Sequence, residues 1–245
     1  MSRVLAVIPA RYASTRFPGK PLALLGGKAV ILRVVERALK CRYVDEVSVA
    51  TDDERIAKAV SEAGYSAVMT SPDHATGTDR IAEAVKNSDA EIIVNIQGDE
   101  PMIDTESVDE AVKALLDDPA LNVSTLAVPI TETEEFENPN VVKTVTDNDG
   151  YALYFSRSPI PYNRSGNRGG EKDSAMKHLG MYVYRRDFLL KFAAMKPSEL
   201  EKSEQLEQLR ILQNGHKIKV ITAERDSIGI DTPDDLKKAE ELLEV

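Results

Sequence analysis

The first half of the sequence alternates short apolar runs with amphipathic helical segments, and this alternation restricts the chain to few folds. Strands are predicted at residues 3–9, 46–51, 66–70 and 91–96, and the continuous apolar run at 3–9 is typical of a strand buried on both faces of a parallel sheet. Segments with helical periodicity fall at residues 29–40, 54–63, 79–86 and 107–116. Strands and helices that alternate across short links build parallel sheets with right-handed crossovers, so we predict a Rossmann-like, doubly wound α/β fold.

Beyond residue 120 the pattern becomes rich in strands. We predict strands at residues 123–130, 141–146, 151–156, 179–184 and 217–223, and a strand-like run at residues 227–230. Helices are predicted at residues 187–195, 199–213 and 234–243, the last with Thr232 as N-cap and Pro233 at its first position. Residues 163–174 are predicted to form a mobile surface loop. Without a repeat or flexible linker, the sequence predicts one domain over residues 1–245, with a strand-rich subregion at 123–184.

Composition excludes several classes of protein. The chain is 42% hydrophobic and 29% charged, which is too apolar for intrinsic disorder. Its net charge of −10 argues against general nucleic-acid binding, which needs clustered Lys and Arg. Cys41 is the single cysteine, so an intrachain disulfide and a cysteine-based zinc site are excluded. With no signal-peptide pattern and no apolar run of about 20 residues, we expect a cytoplasmic protein with no membrane partner.

A basic loop follows the first predicted strand. Residues 9–21 carry Arg11, Arg16 and Lys20 among small residues, at the strand end where such sheets bind ligands. Backbone N–H groups and cations in such a loop suit a polyphosphate. Composition alone favours a solvated surface loop, and only the position at the strand end makes the two interpretations equal. The chain has neither a Walker A loop nor a G-x-G-x-x-G fingerprint. A polyphosphate ligand would therefore be bound by a different kind of loop.

Two aspartates follow predicted strands far apart in the sequence. Asp99 comes after the apolar run at 91–96, and Asp231 comes after the run at 227–230. Two carboxylates at strand ends suit Mg²⁺, which takes oxygen ligands and usually shares them with substrate phosphates. The alternative is a pair of ordinary loop aspartates, with Asp231 helping to cap the last helix. Glu100, which precedes a proline, is interpreted as shaping its loop rather than binding metal.

Seven sequence blocks, in the same order over nearly the whole chain, resemble those of the 3-deoxy-manno-octulosonate (Kdo) cytidylyltransferases, also called CMP-Kdo synthetases. The blocks are residues 8–22 (IPARYASTRFPGKPL), 74–80 (HATGTDR), 95–101 (NIQGDEP), 151–157 (YALYFSR), 178–182 (HLGMY), 206–210 (LEQLR) and 231–236 (DTPDDL). The sialic-acid cytidylyltransferases are the nearest rival, and their first loop differs from the run at residues 12–16. One block alone is weak, but seven in order are highly specific.

The resemblance implies a sheet of the nucleotidyltransferase type and a cytoplasmic enzyme that transfers CMP from CTP to the anomeric hydroxyl of Kdo. The products would be CMP-Kdo, for lipopolysaccharide biosynthesis, and pyrophosphate. Family members are dimers, so we expect a homodimer in which residues 123–184 serve acceptor binding and dimerisation. Three alternatives stay open: an amino-Kdo analogue as acceptor, another sugar acid, or a non-catalytic nucleotide-binding regulator. The paired aspartates argue against the regulator, and the missing glycine fingerprint argues against a dehydrogenase.

The resemblance also implies roles for residues on the nucleotide side. Arg11 and Lys20 should bind the CTP triphosphate and act in catalysis together with Asp99 and Asp231, which should hold Mg²⁺. The residues expected around the cytosine and ribose are Ala10, Gly77, Thr78 and Arg80.

On the acceptor side, the resemblance implies contacts between the sugar acid and Gln97, Arg157, His178, Tyr182, Glu207 and Gln208. An arginine fork suits a carboxylate, and the other side chains offer the mixed donors and acceptors that hydroxyls need. The residues alone allow plainer interpretations: Tyr182 as part of the core, His178 as structural, and Glu207 with Gln208 as the solvated face of a helix.

Overall fold

The computed structural model describes residues 2–13, 16–164, 175–227 and 229–243. Most of the predicted surface loop at 163–174 lies outside this described part of the chain. The strands are β1 (Val4–Ala10), β2 (Leu24–Leu25), β3 (Lys28–Ala29), β4 (Glu46–Thr51), β5 (Ser66–Met69), β6 (Ile92–Asn95), β7 (Val123–Pro129), β8 (Lys143–Thr146), β9 (Ala152–Ser156), β10 (Met176–Arg185) and β11 (Lys219–Thr222). The helices are α1 (Val30–Ala38), α2 (Glu54–Glu62), α3 (Gly77–Ala84), α4 (Thr105–Asp117), α5 (Thr133–Glu137), α6 (Arg186–Ala193), α7 (Glu199–Glu204), α8 (Gln208–Gln213) and α9 (Pro233–Leu243).

Within the described residues, one mixed sheet of nine strands runs through the chain. Its main order is β11-β7-β10-β6-β1-β4-β5, with β8 paired to β10 and β9 paired to β8. Strand β1 pairs in parallel with β4 and β6, and β4 pairs in parallel with β5. Strand β10 runs antiparallel to both of its main-path neighbours, β6 and β7. The predicted doubly wound α/β class, mostly parallel with a strand-rich second half, is confirmed.

Two apolar clusters cover the two faces of this sheet. Along β1, Ala6 and Ile8 join the cluster packed under α1 and α4, whereas Val7 joins the cluster packed under α3 and α6. Side chains alternate between the faces of a strand, so a strand covered on both sides is apolar at every position. This double cover explains the unbroken apolar run of β1.

The helix predicted over residues 199–213 is wrong as a single element. It is divided into α7 and α8 by Gln205, whose φ of 55° is left-handed. Arg210 Nε donates to Glu201 Oε2 at 2.7 Å across the corner. In a continuous helix nine residues span about 13.5 Å along the axis, so this ion pair forms only because the helix breaks.

The strand predicted at residues 227–230 is also wrong, because the described residues of this segment, 227 and 229–230, are not part of any strand. The backbone N–H of Ile230 instead donates to Asp99 O at 2.8 Å, which fastens this segment to the end of β6. The predicted cap of the last helix is confirmed, because Asp235 N donates to Thr232 Oγ1 at 3.2 Å. No helix in the described ranges is both long and apolar enough for a membrane span.

Candidate active site

The carboxyl ends of β1 and β6 lie side by side and both lead into predicted site residues. Val7 of β1 pairs with Asn95 of β6, so the loops that follow them start at the same edge of the sheet. At Gly98 a Cβ atom would lie 2.8 Å from the carbonyl oxygen of Pro9, so only glycine permits this approach. The contact brings the carboxylate of Asp99 next to the basic loop.

Lys20 lies between the two predicted metal ligands. Its Nζ donates to Asp99 Oδ2 at 2.6 Å and to Asp231 Oδ1 at 3.1 Å. Arg16 adds a second cation, with its guanidinium 2.9 Å from Asp231 Oδ2. The ammonium group is largely buried, with 13% of the Lys20 side chain exposed. The structure therefore gathers Lys20, Asp99 and Asp231, residues that the sequence spreads over more than 200 positions.

The geometry of this pair fits a divalent cation. Oxygens of Asp99 and Asp231 both contact one point, and a positive ammonium group fills that point. Two carboxylates in that arrangement match the way Mg²⁺ is usually held, by one or two protein carboxylates together with substrate phosphates. Within the described ranges, no three His, Cys, Asp or Glu side chains gather to form a complete protein cage. The residues present fit a metal that shares its ligands with a phosphate.

The backbone around Asp231 is fixed by the cap of α9. Asp235 Oδ2 accepts hydrogen bonds from the backbone N–H groups of Asp231 at 3.2 Å and Thr232 at 2.9 Å. On the other side, Glu100 has a buried Oε2 without a hydrogen-bond partner among the described residues. Burial and the neighbouring charge of Asp99 raise the pKa of Glu100 to about 8. The backbone at Asp231 is thus held by Asp235, and Asp99 is followed by a buried carboxyl group whose raised pKa favours its protonated form.

The predicted nucleotide residues collect where the basic loop meets the start of α3. Arg11 donates from its guanidinium to the carbonyl of His74 at 2.6 Å, which ties the loop to the segment before the helix. Ala10 is buried at the end of β1, and Gly77 packs beside Pro9. The N-terminus of α3 therefore faces the basic loop.

Arg80 lies deeper than an exposed base contact would. It is fully buried, donates to Thr70 Oγ1 at 2.5 Å and forms an ion pair with Asp52 Oδ2 at 3.0 Å. These contacts join α3 to the segments that follow β4 and β5. The place of Arg80 in the base site stays a prediction.

The acceptor residues are brought together by a bulge in β10. Leu179 pairs with Leu126 of β7 but Tyr182 pairs with Thr125, so two residues of β10 lie opposite no partner in β7. The bulge draws the rings of His178 and Tyr182 to 5.3 Å between centroids. Gln97 Nε2 donates to the carbonyl of the bulge residue Gly180 at 2.9 Å, which joins the end of β6 to this group.

His178 and Tyr182 lie in a surrounding of aromatic rings. The His178 ring meets Phe155 edge-on at 5.0 Å, and the Tyr182 ring stacks on Tyr184 at 5.5 Å. Burial lowers the pKa of His178 to about 3, so the imidazole is neutral. Burial raises the pKa of the Tyr182 hydroxyl, which keeps that group protonated.

Glu207 and Gln208 are not the solvated helix face that the residues alone allowed, and that interpretation is wrong. Gln208 is only 6% exposed, and Glu207 Oε2 accepts a hydrogen bond from Thr78 Oγ1 at 3.0 Å. Burial raises the pKa of Glu207. The Thr78 contact joins a predicted nucleotide residue directly to a predicted acceptor residue.

Arg157 lies at the end of β9 against the corner between α7 and α8. Its guanidinium donates to the carbonyls of Glu204 at 2.8 Å, Pro139 at 3.1 Å and Gln205 at 3.4 Å. Its backbone N–H donates to Glu204 Oε2 at 3.0 Å. In this structure Arg157 caps the end of α7, and its contact with an acceptor carboxylate stays a prediction.

Sequence reasoning missed two buried residues that hold the acceptor side. Lys143 Nζ donates to the carbonyl of Arg157 at 2.7 Å and to two further carbonyls. Thr125 contacts the ring of His178 at 2.9 Å. Both are fully buried polar side chains in strands that contain other polar residues, so no sequence pattern singles them out.

Comparison with solved structures places this arrangement among known folds. The structure of a CMP:2-keto-3-deoxy-manno-octonic acid synthetase complexed with CTP superposes with a TM-score of 0.93 at 45% identity, covering 99% of each chain. A cytidylyltransferase from Leptospira borgpetersenii superposes with a TM-score of 0.66 at 19% identity, which shows a shared fold. It covers 100% of this chain and 87% of that one.

Sequence comparison agrees over the full length. The family model described as Cytidylyltransferase matches residues 5–218. A 3-deoxy-manno-octulosonate cytidylyltransferase from Pelobacter propionicus is 55% identical over 97% of this chain and 96% of its own. The enzyme of the same name from Geobacter sulfurreducens is 52% identical over 98% of this chain and 99% of its own. The structural match and the family model place the chain among the nucleotidyltransferases of the cytidylyltransferase class. Within that class, the chain belongs to the 3-deoxy-manno-octulosonate cytidylyltransferase family.

Proposed function

We propose that this protein transfers CMP from CTP to the anomeric hydroxyl of Kdo, giving CMP-Kdo and pyrophosphate. The observation that carries the proposal is the contact of one lysine, Lys20, with both Asp99 and Asp231 at the carboxyl edge of the sheet. A cation between two carboxylates beside a basic loop suits a metal-assisted displacement at a phosphate. Family membership supplies the identity of the two substrates.

On the donor side, Arg11 and Lys20 bind the triphosphate, and Ala10, Gly77, Thr78 and Arg80 surround the base and ribose. Entry of a triphosphate gives the Lys20 ammonium group a new anionic partner beside the two aspartates. Positioning and charge neutralisation dominate such reactions, so a covalent enzyme intermediate is not required. Mg²⁺ held by Asp99 and Asp231 would neutralise charge on the α-phosphate and acidify the attacking hydroxyl.

On the acceptor side, Gln97, His178, Tyr182, Glu207 and Gln208 bind the sugar hydroxyls. Arg157 binds the carboxylate, and its longest contact, 3.4 Å to the carbonyl of Gln205, is the one most readily exchanged for that ligand. The neutral imidazole of His178 and the protonated Tyr182 suit hydrogen bonding to uncharged hydroxyls. The pre-packed acceptor side therefore orients the hydroxyl for in-line attack.

The test is pyrophosphate release measured over a matrix of nucleoside triphosphates and sugar acids. We expect turnover with CTP and Kdo, and far slower turnover with ATP, GTP or UTP. Equal turnover with UTP and CTP would contradict the cytidylyl assignment. Faster turnover with an amino-Kdo analogue or a sialic acid would show that this sugar, and not Kdo, is the preferred acceptor. CTP binding without turnover on any sugar acid would indicate a non-catalytic regulator.

We also propose that the protein is a homodimer that pairs through residues 123–184. Two large side chains on or beside the β8–β9 hairpin support this: Leu153 is 62% exposed and Tyr162 is 79% exposed. Pairing through this subregion would remove their apolar surface from water, which favours association. Light scattering on a sizing column tests the proposal, with Leu153→Asp expected to give a monomer. A monomeric wild type would contradict it.

A further inference from the structure

Thr125 occupies an unusual position under the acceptor site. It is fully buried in β7, and its hydroxyl contacts three groups of the β10 bulge. Those groups are His178 Nε2 at 2.9 Å, the carbonyl of Met181 at 2.6 Å and the carbonyl of Leu179 at 3.4 Å. Because the bulge leaves Gly180 and Met181 without partners in β7, Thr125 supplies the hydrogen bond that the Met181 carbonyl lacks.

Counting protons fixes the direction of these bonds. A threonine hydroxyl has one hydrogen and two lone pairs, and a carbonyl oxygen can only accept. If the hydroxyl donated to His178, the Thr125 and Met181 oxygens would face each other at 2.6 Å with no proton between them. The hydroxyl must therefore donate to Met181, which leaves His178 Nε2 as the donor to Thr125.

The other ring nitrogen then has a free lone pair. A neutral imidazole with its proton on Nε2 presents Nδ1 as an acceptor. Among the described residues we find no hydrogen-bond partner for His178 Nδ1. The rings of Phe155 and Tyr182 pack against His178 at 5.0 and 5.3 Å, so the plane of the imidazole is held as well.

We propose that Thr125 is a positioning residue that sets the tautomer of His178, so that Nδ1 accepts a hydrogen bond from a hydroxyl of the sugar acid. Thr125 touches no substrate in this arrangement and acts only through the ring. The proposal rests on the acceptor role proposed above for His178. It adds the atom that makes the contact and the residue that directs it.

The direct test is a long-range ¹H–¹⁵N spectrum of the full-length protein labelled with ¹⁵N-histidine. The chain has three histidines, so His178→Gln assigns the signals by removing one set. We expect wild-type His178 to be protonated on Nε2 and bare on Nδ1. A proton on Nδ1 in the wild type would overturn the proposal without any further variant.

Thr125→Val then tests the cause. Valine keeps the shape and removes the hydroxyl, so an Nε2 proton would be buried without an acceptor and the tautomer should shift towards Nδ1–H. The apparent KM for the sugar acid should rise about 10-fold, which corresponds to about 1.4 kcal/mol, because a protonated Nδ1 no longer accepts a hydrogen bond from the sugar hydroxyl. CTP affinity, measured by calorimetry, should be unchanged, and Thr125→Ser should restore both the tautomer and KM.

Thr144→Val is the matched control. Thr144 is also fully buried in a strand and donates to a carbonyl, that of Tyr154 at 3.0 Å, but it does not contact His178. It should leave the histidine signals unchanged. An unchanged tautomer in folded Thr125→Val would overturn the proposal. A shifted tautomer with an unchanged sugar KM would keep Thr125 as the director of the ring and instead remove His178 from the acceptor site.

Discussion

The donor side and the acceptor side of the site are held by different kinds of contact. On the donor side, charged groups pair with one another: Lys20 with Asp99 and Asp231, and Arg16 with Asp231. On the acceptor side, polar groups pair with backbone carbonyls, hydroxyls and rings, as Gln97 does with Gly180.

This difference follows from what each side binds. A triphosphate with its metal brings its own charges, so the ion pairs of the donor site can exchange partners when the ligand arrives. A sugar offers many hydroxyls whose positions carry the specificity, so the acceptor site needs fixed donors and acceptors. Replacements on the donor side should therefore act through charge, and replacements on the acceptor side through geometry.

The largest effect should come from the paired aspartates. Asp99→Asn and Asp231→Asn keep shape and remove charge, and each should lower kcat by on the order of 10²-fold or more. Because both carboxylates would serve one cation, the double variant should lose far less than the product of the single losses. The measurement is kcat across a magnesium titration, with folding checked by thermal melting. Near-wild-type turnover in either single variant would exclude the shared cation.

The second prediction concerns the stability of the corner between α7 and α8, which lies against Arg157 and outside the acceptor contacts themselves. Glu201 and Arg210 form a buried ion pair between α7 and α8, with only 9% and 5% of each residue exposed. Removing one partner of such a pair leaves a buried charge, so Glu201→Ala should lower the free energy of unfolding by about 3 kcal/mol in urea titrations.

Glu199→Ala is the matched control for that prediction. Glu199 lies on the same helix and pairs with Lys202 at 2.8 Å, but both side chains are exposed to solvent. Exposed pairs contribute little to stability. Equal destabilisation by the two variants would mean that the corner between α7 and α8 is not held by its buried ion pair.

The same corner also shows which parts of the fold could be predicted from the sequence and which could not. Strand β4 is predicted at residues 46–51 and found there, because a short segment with β-branched residues between two aspartates favours a strand. The break at Gln205 was not predictable, since the leucines on either side continue a helical stripe across it. The contact between Glu201 and Arg210 across the break exists only in three dimensions, so the sequence pattern does not reveal it.

The candidate site also has parts that the sequence predicts and parts that it does not. Asp99 follows a predicted strand that the structure contains. Asp231 lies beside Asp99 as predicted, although the residues before Asp231 do not form the predicted strand. The hydrogen bond from Ile230 N to Asp99 O provides the juxtaposition instead. On the acceptor side, a bulge sets which ring faces which, and period-2 patterning does not reveal a bulge. The role of Thr125 beneath the β10 bulge therefore could not be predicted from the sequence.

The third prediction tests the exchange of partners on the donor side. Lys20→Ala removes a charge-assisted contact to the triphosphate worth about 1.5–3 kcal/mol, so the Kd for CTP should rise roughly 10- to 100-fold. The sugar-acid KM at saturating CTP should change much less. Lys28→Ala is the control, since Lys28 also forms an ion pair, with Glu36, away from the strand ends. Unchanged CTP affinity in Lys20→Ala would remove Lys20 from the triphosphate site.

The smallest effect should be the pH dependence of stability that His178 contributes. Its pKa in the folded protein is lowered by burial to about 3, below its ordinary value of 6.5. Below pH 6.5 the imidazole of His178 is therefore protonated in the unfolded chain, whereas in the folded protein it stays neutral down to about pH 3. The stability that depends on the neutral ring is fully present above 6.5 and is lost as the pH falls through that window.

Thermal melting of the wild type and His178→Gln between pH 8 and pH 4 isolates this contribution. Glutamine keeps a donor for Thr125 but cannot be protonated, and the carboxylates that also titrate in this range are common to both proteins. We expect a constant difference in Tm above about pH 6.5, followed by a shift in favour of the variant as the solution becomes more acidic. Parallel curves over the whole range would mean that the folded protein accepts the proton. His178 would then be a titrating, charged group like those of the donor side, and not a fixed neutral group of the acceptor side.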